Sequence, residues 1–438
     1  MAGGRAAITV AACLALAALT LVISDQPAYD PTAWLIWGRE LSEGTLSMEG
    51  GPSWKPLPVV FTFGFAFAGD DAAPLLWLLA ARASGFLAVA LCFRVAARIG
   101  GRAAGWLAAG GLVLATDFLF NVLRGDSEGL LIALALGAID LHLGGRRRAA
   151  LAVGIVAGLI RPEVWIPLAG YGLWLLARDR RPATVGLAFG GAAGLLAAWF
   201  VPDFLATGDW LRGANRAQNP VAGSPGQSAF PFGLTFAYAS IMLAWPFYAG
   251  AVWAVRKRPG PVRGIAAAAI ALMVTVGLLA ELGFTGNIRY VALPAALVAV
   301  LGGVGLPGVA AAARERFGPR VFAVTSLAAA LAVCVCVGIV GYGGVRLTRE
   351  EYVFGSRLDA VIAAAGGEEA IRACGQISTT RFERQALAYR LELPPGEVWT
   401  TAERPGIALI RGEREHPNAS VLPVVTRLPD WTLRRACR

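Results

Sequence analysis

Long apolar runs recur along most of this 438-residue sequence and restrict how it can fold. The candidate runs are residues 7–23, 73–95, 103–118, 128–143, 149–161, 163–177, 183–201, 233–254, 264–282, 290–306 and 321–344. A membrane-spanning helix needs about 20 mostly apolar residues. Only 16% of the chain is charged, against about 25% in soluble domains. The sequence therefore predicts an all-α polytopic membrane protein with about eleven transmembrane helices.

Charged residues concentrate after Val345, which predicts two domains, a transmembrane domain over 1–345 and a small soluble domain over 346–438. The second domain opens with a helical pattern from Leu358 to Ala365. Short apolar segments between proline and glycine residues follow it. This pattern favours a small C-terminal α/β domain.

Alternate loops between the apolar runs carry 17 basic residues against three acidic ones. The basic residues are Arg5, Arg94, Arg98, Arg102, Arg146, Arg147, Arg148, Arg178, Arg180, Arg181, Arg256, Lys257, Arg258, Arg263, Arg314, Arg316 and Arg320. Cytoplasmic loops are rich in Lys and Arg. We therefore expect a multi-pass plasma-membrane protein with a cytoplasmic N-terminus and an extracytoplasmic C-terminal domain. A cleaved signal peptide over residues 1–24 is the alternative for the first run.

The remaining composition excludes some partners and suggests one covalent link. The net charge of +10 is spread in short clusters between apolar runs, which argues against nucleic acid as a partner. Cys374 and Cys437 lie in the polar C-terminal segment and could form a disulfide if that segment is extracytoplasmic.

Two predicted outer loops are long, residues 24–72 and 202–232. In the first, Asp30 precedes a helix that Pro31 can start. Asp30 is a candidate catalytic carboxylate at the membrane surface, or it only caps that helix.

The same loop carries Trp34, Trp37 and Trp54, which could stack on sugars or belong to the aromatic belt of the membrane interface.

A second candidate cluster begins the run near residue 128, where Asp126 and Glu128 are separated by one residue. Two carboxylates at this spacing suit Mg²⁺ or Mn²⁺. The alternative is a solvated helix start whose acids complement the helix dipole.

Two arginines at the ends of apolar runs are candidate ligands for a lipid phosphate. Arg289 stands beside Tyr290 and could instead be an interface anchor. Arg161 stands before Pro162 and Glu163, and the Arg–Glu pair could only stabilise a helix break.

In this order and on this side of the membrane, the motifs resemble the GT-C superfamily of membrane glycosyltransferases, which use polyprenyl-phosphate-linked sugars. The superfamily includes protein O-mannosyltransferases, lipid A aminoarabinose transferases and oligosaccharyltransferases. The resemblance covers residues 1–345. It rests on Asp30 opening the first outer loop, Trp54-Lys55-Pro56-Leu57-Pro58 closing it, Gly158-Leu159-Ile160-Arg161-Pro162, and Arg289-Tyr290 followed by Pro294.

By this resemblance Asp30 is the catalytic base, and Arg289, Lys55 and Arg161 bind the donor phosphate. Asp126 and Glu128 match the second-loop acidic pair of some branches. The implied reaction is an inverting transfer of a sugar from polyprenyl phosphate to a lipid, polysaccharide or protein acceptor. Two departures are that Pro31 follows Asp30 where many members have a second acid, and that no acceptor-sequon motif is present.

The alternatives are a transporter or lipid flippase, and a non-catalytic scaffold with a GT-C-like fold. A transporter predicts charged pairs within several runs. Only Arg82 lies clearly within a run, whereas acidic residues gather in the predicted outer loops. This distribution favours chemistry at the membrane surface.

Overall fold

A computed structural model describes residues 2–220, 223–258, 260–412 and 416–437, which are mostly helical. The chain divides into two compact units. The first consists of the N-terminal segment up to Leu19, Leu79–Trp199 and Ala214–Val345. The second consists of Thr20–Leu78, Phe200–Gly213 and the C-terminal segment from Arg346.

Eighteen α-helices lie within the described residues and are numbered in chain order. They are α1 (Ala2–Thr20), α2 (Tyr29–Glu43), α3 (Pro56–Ala66), α4 (Ala72–Gly100), α5 (Arg102–Val113), α6 (Phe118–Leu123), α7 (Glu128–Leu143), α8 (Arg147–Gly158), α9 (Trp165–Leu176), α10 (Pro182–Thr207), α11 (Arg212–Ala217), α12 (Pro231–Ile241), α13 (Trp245–Lys257), α14 (Pro261–Glu281), α15 (Ala292–Phe317), α16 (Pro319–Ala364), α17 (Glu368–Ala373) and α18 (Arg384–Arg390).

Four helical segments among the described residues are long and apolar enough to cross a membrane: α4, α10, α14 and the stretch Ile288–Phe317 that contains α15. The helices α12 and α13, bent by 97° at the break between them, make a fifth if they count as one span. These segments indicate a multi-pass membrane protein. They do not confirm the predicted eleven spans.

The shortfall arises because several apolar runs fold as short helices. The helices α5, α8 and α9 have 12 residues each, and α7 has 16. At 1.5 Å per residue a 12-residue helix covers about 18 Å, whereas the hydrocarbon core is about 30 Å thick. Between α8 and α9 the chain is interrupted at Arg161-Pro162, since a proline disfavours helix at the residue before it.

Small residues allow the helices of the first unit to pack closely. A Cβ added at Gly305 of α15 would lie 1.8 Å from the Gly250 carbonyl oxygen of α13, and one at Gly303 would lie 2.6 Å from the Ala104 carbonyl oxygen of α5. Close backbone approach through Gly and Ala is typical of helix packing in membranes.

Arg82 is fully buried within α4 and is satisfied by the backbone. Its Nε and Nη2 donate to the Leu123 carbonyl oxygen at 2.9 and 2.6 Å. Arg82 is therefore a structural partner of the end of α6, which is what makes a buried charge within a span tolerable.

The C-terminal part of the second unit contains a five-stranded sheet, which confirms a small C-terminal sheet beside the helices. The strands are β1 (Gln376–Thr379), β2 (Val398–Trp399), β3 (Gly406–Arg411), β4 (Val424–Leu428) and β5 (Trp431–Ala436), in the order β2-β1-β3-β5-β4. Strand β1 runs parallel to β2 and β3, whereas β5 runs antiparallel to β3 and β4. Cys374 and Cys437, at the two ends of this segment, are joined by a disulfide.

Candidate active site

The first unit brings the acidic pair of residues 126 and 128 together with both candidate arginines. Arg289 Nη1 lies 3.1 Å from Asp126 Oδ1. Arg161 Nη2 forms a short ion pair with Glu128 Oε1, and its Nη1 lies 3.7 Å from Glu163 Oε1. The cluster therefore consists of two guanidinium groups and three carboxylates, which we call the arginine–carboxylate cluster.

Local backbone structure sets the position of each member. Asp126 lies in the short connection between α6 and α7, where its N–H donates to the Asn121 carbonyl at 3.0 Å. Glu128 begins α7. Arg161 is extended (φ −147°, ψ 128°) before a 3₁₀ turn at Pro162–Val164, and its guanidinium carbon lies 4.2 Å from the Tyr290 ring centre.

Arg289 is positioned by a capped turn at the start of α15. The Asn287 side chain accepts a hydrogen bond from the Arg289 N–H at 3.1 Å, within the 3₁₀ turn Ile288–Val291. The Arg289 side chain is 22% exposed, whereas that of Arg161 is 6% exposed. Of these two arginines, Arg289 is therefore the one able to meet a ligand from solvent, and Arg161 is enclosed by Glu128, Glu163 and Tyr290.

The cluster does not match the ligand set of a hard divalent cation. Asp126 and Glu128 each direct one carboxylate oxygen to an arginine. No group of three or more His, Cys, Asp or Glu side chains within the described ranges is placed to hold a metal ion. A Mg²⁺ or Mn²⁺ site usually offers several oxygen ligands and no competing cation. The metal stays a prediction from the sequence, and this geometry favours the arginine pairs.

Asp30 belongs to the second unit and stands in the first turn of α2. The helix begins at Tyr29 after Ala28, without a side-chain cap. Asp30 therefore lies in the first turn of the helix, and the N-cap position belongs to Ala28. The catalytic role of Asp30 and the capping alternative both stay predictions. Its carboxylate is partly exposed and lies where the helix dipole favours a negative charge.

The three candidate sugar-stacking tryptophans and Lys55 lie within the same unit as Asp30. Trp37 and Trp54 pack with ring centres 5.5 Å apart, and Lys55 Nζ lies 4.9 Å from the Trp34 ring centre. Trp34 and Trp37 are fully buried, and Trp54 is 4% exposed. Stacking on a sugar stays a prediction, and it requires one of these rings to be uncovered.

Glu40 is a buried acid in α2 that the sequence analysis did not single out. Its Oε2 accepts a hydrogen bond from the Ser47 N–H at 2.9 Å, while Oε1 has no hydrogen-bond partner among the described residues. Burial raises the pKa of the Glu40 carboxyl to about 7, although the Ser47 N–H and Arg39 oppose the shift. The sequence did contain a signal for this burial: Glu40 follows Trp37 by three residues, which places both on one face of the helix.

Arg212 holds part of the first outer loop in place, and the sequence did not single this residue out. Arg212 Nη1 donates to the Pro52 carbonyl at 2.7 Å, and Nη2 donates to the Gly51 carbonyl at 3.2 Å and to that of Met48. No local pattern signals these contacts, because the partners are about 160 residues apart in sequence.

The C-terminal α/β segment contacts α2 within the second unit. Gln385 Nε2 donates to Tyr29 Oη at 3.2 Å, and Phe382 meets the Tyr29 ring edge-on with centres 6.2 Å apart. Tyr389 Oη donates to the Asp70 carbonyl at 2.7 Å. The residue before Asp30 is therefore in direct contact with α18 and the turn that precedes it.

Comparison with known proteins adds a fold match over nearly the whole chain. Two crystal structures of ArnT from Cupriavidus metallidurans are similar, each covering 99% of this chain and 98% of ArnT at 16% identity. The TM-score is 0.57 for ArnT bound to undecaprenyl phosphate and 0.54 for its apo state. An oligosaccharyltransferase from Archaeoglobus fulgidus matches 77% of this chain and 55% of its own, at 14% identity and a TM-score of 0.45.

No protein-family model matches the sequence, and no curated protein matches it by sequence. At 16% identity the comparison shows the fold alone: this chain has the fold of ArnT.

Proposed function

We propose that this protein is a membrane glycosyltransferase that moves a sugar from a polyprenyl phosphate donor to an acceptor hydroxyl at the outer face of the plasma membrane. The fold match over 99% of the chain, to a protein crystallised with undecaprenyl phosphate, carries this proposal. The acidic helix start at Asp30 and the partly exposed Arg289 support it.

The reaction is a single displacement with inversion at the anomeric carbon. Asp30 accepts the proton of the acceptor hydroxyl while that oxygen forms its bond to the anomeric carbon. The bond between the anomeric carbon and the phosphate oxygen breaks, and the electron pair leaves with polyprenyl phosphate. A positive group aimed at the leaving oxygen stabilises its developing charge.

Arg289 is the residue we assign to the leaving phosphate in the first unit, because its guanidinium is the more exposed of the pair. Arg161 instead positions the cluster, since Glu128 and Glu163 already neutralise it. Lys55, in the second unit, keeps its predicted role in phosphate binding, and its ammonium is held over the Trp34 ring.

We further propose that the N-terminus is cytoplasmic and the C-terminal domain extracytoplasmic. The disulfide between Cys374 and Cys437 supports this orientation, because disulfides persist in oxidising compartments. The acceptor is a lipid, polysaccharide or protein that presents a hydroxyl on that side.

The test is release of polyprenyl phosphate by the reconstituted protein, given a panel of polyprenyl-phosphate sugars and a membrane extract as acceptor. Asp30→Asn removes the base without changing size, and we expect release to fall about a hundredfold or more. Asp25→Asn, in the same loop, is the matched control and should behave as wild type.

If the wild type and both variants release polyprenyl phosphate equally, Asp30 is not the base, but the protein is still a glycosyltransferase. No release with any donor, by protein that is folded by size-exclusion chromatography, would contradict the transferase proposal itself.

A further inference from the structure

A cavity of about 650 Å³ at the start of α8 and the end of α9 is lined by five arginines and one acid. These residues are Arg147, Arg148, Arg178, Asp179, Arg180 and Arg181. All five arginines are exposed. The cavity belongs to the first unit and lies in loops that the charge distribution predicts to be cytoplasmic.

The single acid of this cavity leaves most of the positive charge uncompensated. Asp179 accepts a hydrogen bond from Thr184 Oγ1 at 2.8 Å and lies 3.7 and 3.8 Å from Arg148 and Arg181. Within the described residues, Arg147, Arg178 and Arg180 have no carboxylate at salt-bridge distance. The cavity therefore suits an anionic group.

Trp174 holds two of these arginines at the edge of the cavity. The guanidinium carbons of Arg147 and Arg178 lie 5.3 and 4.4 Å from its ring centre. Tyr171 stacks on Trp174 with centres 5.5 Å apart, and its Oη lies 3.0 Å from His142 Nδ1. Cation–π contacts of this kind favour these positions of both guanidinium groups.

An apolar groove of about 910 Å³ starts at the same aromatic residues. It includes His142, Tyr171 and Trp174 and continues between α7, α8, α9 and α14, where glycine backbone and the side chains of alanine and leucine form its walls. Its volume lies in the range of about 300–1,000 Å³ typical of ligand sites. A basic cavity thus adjoins an apolar groove in one unit.

We propose that this composite site binds an anionic phospholipid of the cytoplasmic leaflet. The phosphate group lies among Arg147, Arg178 and Arg180, and an acyl chain occupies the groove beyond Trp174. Basic pockets beside membrane helices on the cytoplasmic side are the general mode for binding anionic lipid headgroups. The charge of the cavity selects an anionic headgroup over a zwitterionic one.

The competing occupant of the groove is the isoprenoid chain of the donor. The donor reacts on the predicted outer side, whereas the five arginines lie in predicted cytoplasmic loops. The groove also includes Val164 and Leu293, which are close in sequence to Glu163 and Arg289. The test therefore compares the phospholipid with polyprenyl phosphate directly, and it requires no enzymatic activity.

The experiment is native mass spectrometry of the purified full-length protein titrated with phosphatidylglycerol, phosphatidylcholine or undecaprenyl phosphate. We expect phosphatidylglycerol to bind at least about tenfold more tightly than phosphatidylcholine. The double variant Arg147→Gln/Arg178→Gln should lose about tenfold or more of that affinity. Arg314→Gln/Arg316→Gln removes the same charge from two exposed arginines of α15 and should bind as wild type.

A second variant tests the groove separately from the charge. Gly264 of α14 lines the groove, and a Cβ added there meets nothing within 4 Å. Gly264→Leu should therefore keep the fold and reduce phosphatidylglycerol binding by filling the groove.

Three results would overturn the proposal. They are equal affinity for the two phospholipids, equal losses in the two double-arginine variants, and preferential binding of undecaprenyl phosphate at this site that Arg147→Gln/Arg178→Gln abolishes.

Discussion

Gln385 Nε2 donates a hydrogen bond to Tyr29 Oη at 3.2 Å, across 356 positions of the sequence. Gln385 is fully buried, and its Nε2 also lies 3.1 Å from the Gly50 carbonyl oxygen. These contacts join α18 to the start and to the middle of the first outer loop (residues 24–72), which carries Asp30. The C-terminal segment therefore has a structural part in placing the proposed base.

Removal of the Tyr29 hydroxyl should impair turnover of folded protein. We expect Tyr29→Phe to reduce kcat for sugar transfer by about tenfold through misplacement of Asp30, with KM for the donor unchanged. The loss of one hydrogen bond should lower the free energy of unfolding by about 1 kcal/mol. Steady-state kinetics and thermal unfolding check the two effects, and the exposed Tyr342→Phe is the control. A loss of stability with unchanged kcat would mean that the contact is only structural.

The ion pair between Arg289 and Asp126 predicts coupled effects on catalysis. Arg289→Gln should reduce polyprenyl phosphate release by about 10²–10³-fold, and Arg289→Lys should lose less because it keeps the charge but not the planar group. If Asp126 acts by holding Arg289, then Asp126→Asn combined with Arg289→Gln should be no slower than Arg289→Gln alone. Strictly multiplicative losses would show that the two residues act independently.

Chelation should leave the reaction largely unaffected. Asp126 and Glu128 are each paired with an arginine, so we expect release of polyprenyl phosphate in excess EDTA to stay within about twofold of the untreated rate. The measurement is the same release assay with and without chelator. Loss of release that Mg²⁺ or Mn²⁺ restores would instead support a metal held by this acidic pair.

Glu40 predicts a dependence of stability on pH. Its pKa rises from 4.5 to about 7 on folding because the carboxyl is buried. The folded state therefore holds this proton more tightly, and the contribution of Glu40 to stability should be fully present below pH 4.5 and decline as the pH rises to about 7. The loss is at most about 1.4 kcal/mol per pH unit over this window.

Thermal unfolding between pH 5 and 8 checks the sign. Glu40→Gln stays neutral and should flatten this part of the profile, whereas Glu315→Gln, at an exposed position of α15, should not. A profile that the Glu40 variant shares with wild type would exclude Glu40 as the titrating group.

The disulfide should stabilise the C-terminal segment by closing a loop. Cys374 and Cys437 are 63 residues apart, for which the chain-entropy estimate is about 4 kcal/mol. We expect Cys374→Ala/Cys437→Ala, or mild reduction, to lower the Tm of this segment. The measurement is limited proteolysis over a temperature series. Cys336→Ala, which changes an exposed free thiol, should leave it unchanged.

The sequence predicted local structure better than it predicted long-range contacts. The helix expected to start at Pro31 is α2, and the helical pattern from Leu358 to Ala365 coincides with the end of α16 at Ala364. The start of the first helix and the end of the second are determined by Pro and Gly, which act on the adjacent backbone. The predicted eleven spans are not confirmed, because apolar composition does not reveal how far a helix continues without interruption.

The pairings within the arginine–carboxylate cluster could not be derived from the sequence. Arg289 and Asp126 are 163 residues apart, and Arg161 and Glu128 are 33 residues apart. The residue types suggested phosphate binding for the two arginines and metal binding for Asp126 and Glu128. Only the fold shows that they neutralise each other, because side-chain pairing across helices has no local pattern.

The contact between α18 and α2 has a consequence for biosynthesis. A ribosome adding about 5–20 residues per second completes Tyr29 roughly 20–70 s before it reaches Gln385, given their separation of 356 residues. During that interval the first outer loop has already left the ribosome without its C-terminal partner. Any chain cut short before α18 would expose this buried surface, so the acquisition of activity is expected to coincide with the end of translation.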